Sequence, residues 1–278
     1  GGYDLWETRG LWVWAKPRGA EISAEVSSDS RKKWKTTPKV AVRKYDDKGS
    51  EFVMDIQSTI NLGTKVSLMA NIKGSLENDK TAWASNETFL TDYSGWKIGN
   101  RSVSPENLAE ADFTSFDDKG KLGGILDAVQ EYKPGQYYVP VFGTRDTRSL
   151  DFTLRASLTF TSKFSMQLYS QLFTAKGRYS NFSILADPDN MVPFPEYPKK
   201  RDFNYKNLQL NYVTRWEYRP GSALYLVWSH SRSKDEELNP LAPWGDSIYD
   251  QSIGGQITEL FRTFPGNSFM IKLDYAFH

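Results

Sequence analysis

Along most of this chain apolar and polar residues alternate one by one. Phe52, Met54, Ile56, Ser58 and Ile60 alternate with Val53, Asp55, Gln57 and Thr59. Val66, Leu68, Ala70 and Ile72 alternate with Lys65, Ser67, Met69 and Asn71. The same period runs through Leu150, Phe152, Leu154, Ala156, Leu158 and Phe160, and through Leu208, Leu210, Tyr212, Thr214, Trp216 and Tyr218. Successive side chains of a strand point to opposite faces, so this period predicts strands with one apolar and one polar face. About ten are expected, near 11–16, 19–27, 35–46, 50–61, 65–86, 137–160, 163–176, 204–218, 222–233 and 267–277.

Alternation alone fits both a soluble sandwich and a membrane barrel. Three features favour the barrel. The phase holds from Leu150 to Phe160 and from Asn204 to Tyr218, longer than the roughly 5–6 residues of an ordinary strand and enough for the roughly 9–11 that cross a bilayer. Short turns at 61–64, 161–163 and 219–222 alternate with long connections near 87–136, 177–203 and 234–266, the asymmetry of outer-membrane barrels. Aromatic residues, Trp216, Tyr218, Trp228, Tyr275 and Phe277, stand near strand ends, where barrels meet the two interfaces. The expected fold is therefore all-β: a transmembrane antiparallel up-and-down β-barrel, with residues 1–278 forming one barrel domain.

The chain closes on NSFMIKLDYAFH. Phe269, Ile271, Leu273, Tyr275 and Phe277 form an alternating apolar series with an aromatic one place from the end. This resembles the C-terminal signal by which barrel-assembly machinery recognises a last strand. A barrel in lipid must close, because an open edge leaves backbone groups unpaired. The first predicted strand is short and poorly patterned, and GGYDLWETRG carries neither Met nor a basic-then-apolar leader. A leader and further strands are thus expected before Gly1.

Composition sharpens this picture in two places. Aromatics make up 14% of the 278 residues, and cysteine is absent, which suits passage through an oxidising periplasm. The net charge of +1 gives no general attraction to nucleic acid. Mean hydropathy is −0.57 and no apolar run approaches the roughly 20 residues of a membrane helix, so any crossing must be made by strands.

Further residues carry a family resemblance. The stretch Asp29-Ser30-Arg31-Lys32 before Trp34, the runs SMQLYSQLFTAKGRYSNF (165–182) and LNYVTRWEYRPGSALYLVWSHSR (210–232), and the closing NSFMIKLDYAF resemble a domain-of-unknown-function family of outer-membrane β-barrels. These often follow a family 9-like carbohydrate-binding module. The resemblance implies a binding module and more strands ahead of this segment, and it assigns no catalytic residue.

On the barrel reading the polar phase turns Arg155, Gln167, Gln171, Asn211, Arg215, Glu217, Lys272 and Asp274 toward the lumen. Charges of both signs there either line a polar pore or knit a closed interior. The only two histidines are His230 and His278, little material for a catalytic triad or a metal site, so no catalytic residue, metal or cofactor is expected. YDDKG (45–49) and FDDKG (116–120) read as Asp/Gly turns rather than calcium loops. Trp12, Trp14, Trp83, Trp96 and Trp244 are candidates either for stacking on sugar rings or for interfacial anchoring. LGGILDAV (122–129) is a candidate short helix.

Two functions fit: surface binding or transport of a glycan or other polar compound, or a non-catalytic scaffold or accessory role in a complex with other outer-membrane proteins. A membrane enzyme would need His230 beside a Ser and an acid at the outer rim. The expected location is the bacterial outer membrane, with its lipid as the surrounding solvent.

Overall fold

The structure is a computed structural model that describes residues 3–4, 7–8, 13–29, 31–92, 95–98, 101–103, 131–133, 136–195, 197, 200–237 and 248–277. Nine long strands follow one another in chain order across a single antiparallel sheet. They are β1 (Gly19–Glu25), β2 (Trp34–Tyr45), β3 (Ser50–Leu62), β4 (Val66–Asp92), β5 (Gln136–Thr161), β6 (Phe164–Asp187), β7 (Phe203–Arg219), β8 (Ser222–Glu237) and β9 (Gly266–Asp274). Each pairs only with its sequence neighbours along this path, an up-and-down meander. Among the described residues β1 and β9 are its two edges and no pairing joins them.

Tight connections at one end follow from local chemistry. Gly63 and Gly221 hold φ of 65° and 74°, a region open to glycine at little cost. The β5–β6 and β7–β8 turns are closed by the pairs Thr161↔Phe164 and Arg219↔Ser222. At the opposite end, Tyr45–Gly49 forms the Asp/Gly turn read from sequence. The Tyr45 N–H bonds to the Gly49 carbonyl at 2.8 Å, and the Asp47 carboxylate accepts from Gly49 N and Thr81 N. Not every connection at this end is long. Pro38 lies inside β2, yet its carbonyl accepts from Val26 N on the β1 side. Its missing N–H therefore faces the point where β1 ends and costs no bond to β3.

The cross-strand register shows what alternation could not. One bulge-free row runs Trp34–Ile60–Leu68–Ala156–Leu168–Tyr212–Trp228–Phe269 across eight strands. Four rows higher, toward the long connections, the same face passes through Val42, Phe52, Leu76 and then Arg148, Lys176, Asn204 and Glu236. The apolar series on β2 thus spans Trp34 to Val42, whereas on β9 it starts only at Phe269, in Trp34's own row. The upper edge of the belt slides four rows over the seven strand-to-strand steps from β2 to β9, about one residue per strand. Its lower edge moves in the same direction by half as much, from Trp34 to Leu273 two rows further on, where β9 ends.

No second sheet packs on this belt among the described residues. Ile22, Phe269 and Ile271 are 82%, 76% and 73% exposed. The buried apolar side chains gather instead at the long-connection end, where Trp14, Phe142 and Leu185 form a cluster with Trp83 and Met191.

Five expectations are corrected. Within 11–16 the described residues supply no strand of the main sheet: Trp14–Ala15 pairs with Tyr3–Asp4 in a separate ribbon. The connections near 87–136, 177–203 and 234–266 are narrower than expected, because β4, β6 and β8 run on to Asp92, Asp187 and Glu237. Just above the belt on β6–β8, Lys176, Lys206 and Lys234 make the belt-side face polar as well, so the ladder continues where alternation stops. The last connection also contains a helix, α1 (Ile253–Arg262), preceded by a 3-10 turn at Ile248–Asp250. The closing strand ends at Asp274, leaving Tyr275 and Phe277 just beyond it. Trp14 is buried, and the Trp83 indole N–H is bonded to Asn86 Oδ1 at 2.9 Å, so neither is a free stacking surface. Trp12, Trp244, Asp117–Asp118, the side chain of Trp96 and the 122–129 segment lie outside the described residues.

Candidate functional site: the polar face of the sheet

The face opposite the belt is built by the same alternation, one residue out of phase. All eight polar candidates lie on it. Arg155 shares a row with Tyr169 and Asn211, and its guanidinium stands 5.3 Å from the Tyr169 ring centre. Gln171 donates to Asp151 Oδ2 at 2.6 Å and accepts from the Tyr169 hydroxyl at 2.9 Å. Gln167 faces Val213 across β6–β7. Arg215 pairs with Glu217 at 2.8 Å and Lys272 with Asp274 at 3.1 Å, each a same-face neighbour two residues along its strand.

The register assembles these residues into two unlike rows. One runs Glu25–Lys39–Asp55–Lys73–Asp151, charges of alternating sign on five adjacent strands. Opposite charges directly across a ladder attract, and the alternation prevents like charges from facing each other. The next row runs Thr37–Gln57–Asn71–Thr153–Gln171–Gln209–Ser231, amides and hydroxyls on seven strands without a charge among them. On the other side of the charged row, Ala41, Val53, Ser75 and Ser149 form a floor of smaller side chains between it and the cluster Glu21–Arg43–Glu51. The resulting recess measures about 380 Å³. The charged row was missed in the sequence reading, although the alternation in 35–46, 50–61 and 65–86 carried it, because which charges face each other depends on register.

His230 stands on the other face. It shares the belt-side row with Leu210 and Asn267, and its two ring nitrogens are engaged by Asn267 Oδ1 at 3.0 Å and Arg232 Nε at 3.2 Å. Ser229 and Ser231, one residue to either side, share rows with Asn211 and Gln209 and so belong to the polar face, on the other side of the sheet from the histidine.

The polar face can offer many neutral hydrogen-bond donors and acceptors, with alternating charge beside them. Among the described residues it presents no field of a single sign of the kind that selects ions.

Fold and site together define a single-layer antiparallel β-sheet with one apolar and one polar face. The chain belongs to a family described as a domain of unknown function (DUF5916), whose model matches residues 118–277. That agrees with the family resemblance as far as a domain of unknown function; the carbohydrate-binding module is not part of the match. No curated protein matches the chain. Among solved structures, the CymD monoaromatic hydrocarbon channel aligns over 77% of this chain with 8% identity and a TM-score of 0.26. The chain spans 58% of that channel's length. A likeness of this degree assigns neither fold nor function.

Proposed function

We propose that this chain forms part of the wall of a transmembrane β-barrel in a bacterial outer membrane, and that its polar face lines an aqueous interior serving a neutral, hydroxyl-rich compound such as a glycan. The observation that carries the first part is the sliding belt. With ~3.4 Å per residue along a strand and ~4.8 Å between strands, the slide of the upper edge, four same-face rows over seven steps, inclines the strands roughly 40° to the belt's normal. Outer-membrane barrels tilt their strands by about 35–45°. A soluble sheet has no reason to keep an apolar band in one plane while its strands pass through it at that angle. The band also has the right height, since on β2 to β7 its series run from Trp34 to Val42, Phe52 to Leu62 or Leu208 to Tyr218, close to the roughly 9–11 residues of a membrane strand. Aromatic residues mark its lower edge: Trp34, Phe160 and Trp216 are exposed there.

The uncharged row from Thr37 to Ser231 supports the choice of solute. Amides and hydroxyls in a line can exchange hydrogen bonds with a polyol without the desolvation cost of an unpaired charge. The test is swelling of proteoliposomes in isotonic neutral disaccharide, compared with a sugar acid and a cationic amino sugar of similar size. Faster entry of the neutral sugar supports the reading. Intact, membrane-embedded protein that passes none of the three would instead favour the scaffold role.

A further inference from the structure

The segment from Ile248 to Phe264 folds back against the belt-side face of β6–β8, above the belt. Its descent can be followed row by row. Tyr249 sits among the cations of Arg148, Lys176 and Arg178, 5.0–5.3 Å from its ring centre, and Lys176 Nζ donates to the Gln251 carbonyl at 2.5 Å. One row lower, Lys206 and Lys234 both bond to Glu259. One row lower again, Arg232 Nη1 donates to the carbonyls of Phe261 and Thr263 at 2.6 and 2.7 Å. Two rows below Arg232 the belt begins, with Trp228 stacked on Phe269.

Most of the apolar residues of α1 lie off its buried side, unlike those of a helix on a soluble core. The buried side of α1 carries Gln256 and Leu260, and beside them Glu259 reaches the lysines of the sheet. Ile253, Ile257 and Phe261, spaced four apart and so on one flank, lie beside that buried side: Ile253 and Phe261 are about half exposed, Ile257 is part-buried, and Phe264 just beyond is 98% exposed. A polar attachment beneath and an apolar flank outside fit a helix lying in a lipid interface.

We infer that α1 and Phe264 form an interfacial anchor, with the Ile253–Ile257–Phe261 flank seated at the headgroup–acyl boundary of the outer leaflet; this rests on the membrane reading above. Lipid is favoured as occupant by continuity and by charge. The flank stands directly over the belt's upper rim. The surrounding face carries Arg148, Lys176, Arg178, Lys206, Arg232 and Lys234 against Asp146 and Glu236. The anchor itself adds Asp250, Glu259 and Arg262, leaving a net positive rim at the height of lipid phosphates.

The sequence has no cysteine, so each engineered thiol is unique. I257C and F261C would report the anchor, I271C the belt and N211C the polar face. Each is labelled with an environment-sensitive fluorophore in the full chain, reconstituted in vesicles containing anionic lipid with quenchers at shallow or deep positions. Unchanged thermal unfolding of the labelled variants checks that they fold. The expected result is quenching of I257C and F261C by shallow quenchers, of I271C by deep ones, and of N211C by neither. Quenching at I271C alone would overturn the anchor and leave the membrane reading standing, and a blue-shifted but unquenched F261C would identify protein rather than lipid as the occupant. Silence at all lipid-facing positions would remove both.

Discussion

At the scale of single residues, Lys206 shows how a charge can be held buried above the apolar belt. Its side chain is fully buried and meets Glu236 at 2.8 Å as well as Glu259. Lys234 bonds to the same two carboxylates, so two cations and two anions close on each other. Replacing Lys206 by Met removes one cation and leaves two carboxylates with one partner. Breaking a buried pair costs about 3–5 kcal/mol; here both carboxylates retain about a quarter of their surface in water, so a loss of about 2–3 kcal/mol is expected. It should appear as faster amide exchange across 248–264 with little change in the belt strands. Burial works against the charge of Glu259, but the hydrogen bonds from Lys206, Lys234 and Gln251 outweigh it and hold its carboxyl well below the ordinary 4.5. A lowered folded-state value means the contribution is complete above about pH 4.5 and is lost as pH falls toward the folded value. The attachment of α1 should therefore be unchanged from neutral pH down to about 5 and weaken in stronger acid, read by amide exchange at a series of pH values after correction for intrinsic rates. An attachment already loosening near pH 6 would contradict this assignment.

At the scale of elements, α1 is short and carries two glycines, which explains why the 234–266 stretch read as a plain connection. The helical signal was present in Ser252 followed by apolar positions 253, 257, 260 and 261. The Ser252 hydroxyl does cap the helix, accepting from Gly255 N at 3.1 Å. The two glycines differ. A Cβ on Gly254 meets nothing within 4 Å, whereas one on Gly255 meets Gln251 and Ser252 at 3.2–3.3 Å. Gly254→Ala should stabilise α1 by about 0.5–1 kcal/mol, seen as slower exchange in the helix, and Gly255→Ala should give less or nothing. Strands were legible because period 2 needs no partner to be read. What could not be read was their continuation past the belt, where Lys176, Arg178, Lys206 and Lys234 make both faces polar. Gly177 belongs to that region: a Cβ there would stand 2.2 Å from the Phe203 ring, its cross-strand partner. The aromatic ring lies over the glycine and replaces the missing packing. Gly177→Ala should displace Phe203 and weaken the β6–β7 ladder near its upper end, measurable as lost exchange protection around Asn204.

At the scale of the molecule, the belt is a property of register, and no single strand displays its slope. Alternation assigned Leu154 and Thr153 to opposite faces, but only the shared rows show that the apolar series on neighbouring strands lie at steadily shifted heights. That shift can be tested as a depth profile along one strand. On β5, Leu150 stands at the top of the apolar series, Leu154 near its middle and Phe160 at the lower edge, while Thr153 faces the polar side. If lipid covers the belt, Leu154→Arg should cost about 2–4 kcal/mol in unfolding from vesicles, and Leu150→Arg about 0–1, because a charge near the rim reaches headgroups and water. Thr153→Arg, though adjacent in sequence, should cost little, since the polar face is wet. The slope makes a second demand across strands. Trp34 and Phe269 share one cross-strand row, yet Trp34 lies at the lower edge and Phe269 at the upper. A quencher near one membrane surface should therefore report Trp34→Cys, and one near the other surface Phe269→Cys, when each carries a fluorophore. Equal depths for this pair would mean that the strands run square to the surrounding medium, and the inclined-wall reading would fail even if the apolar face proved to be in lipid.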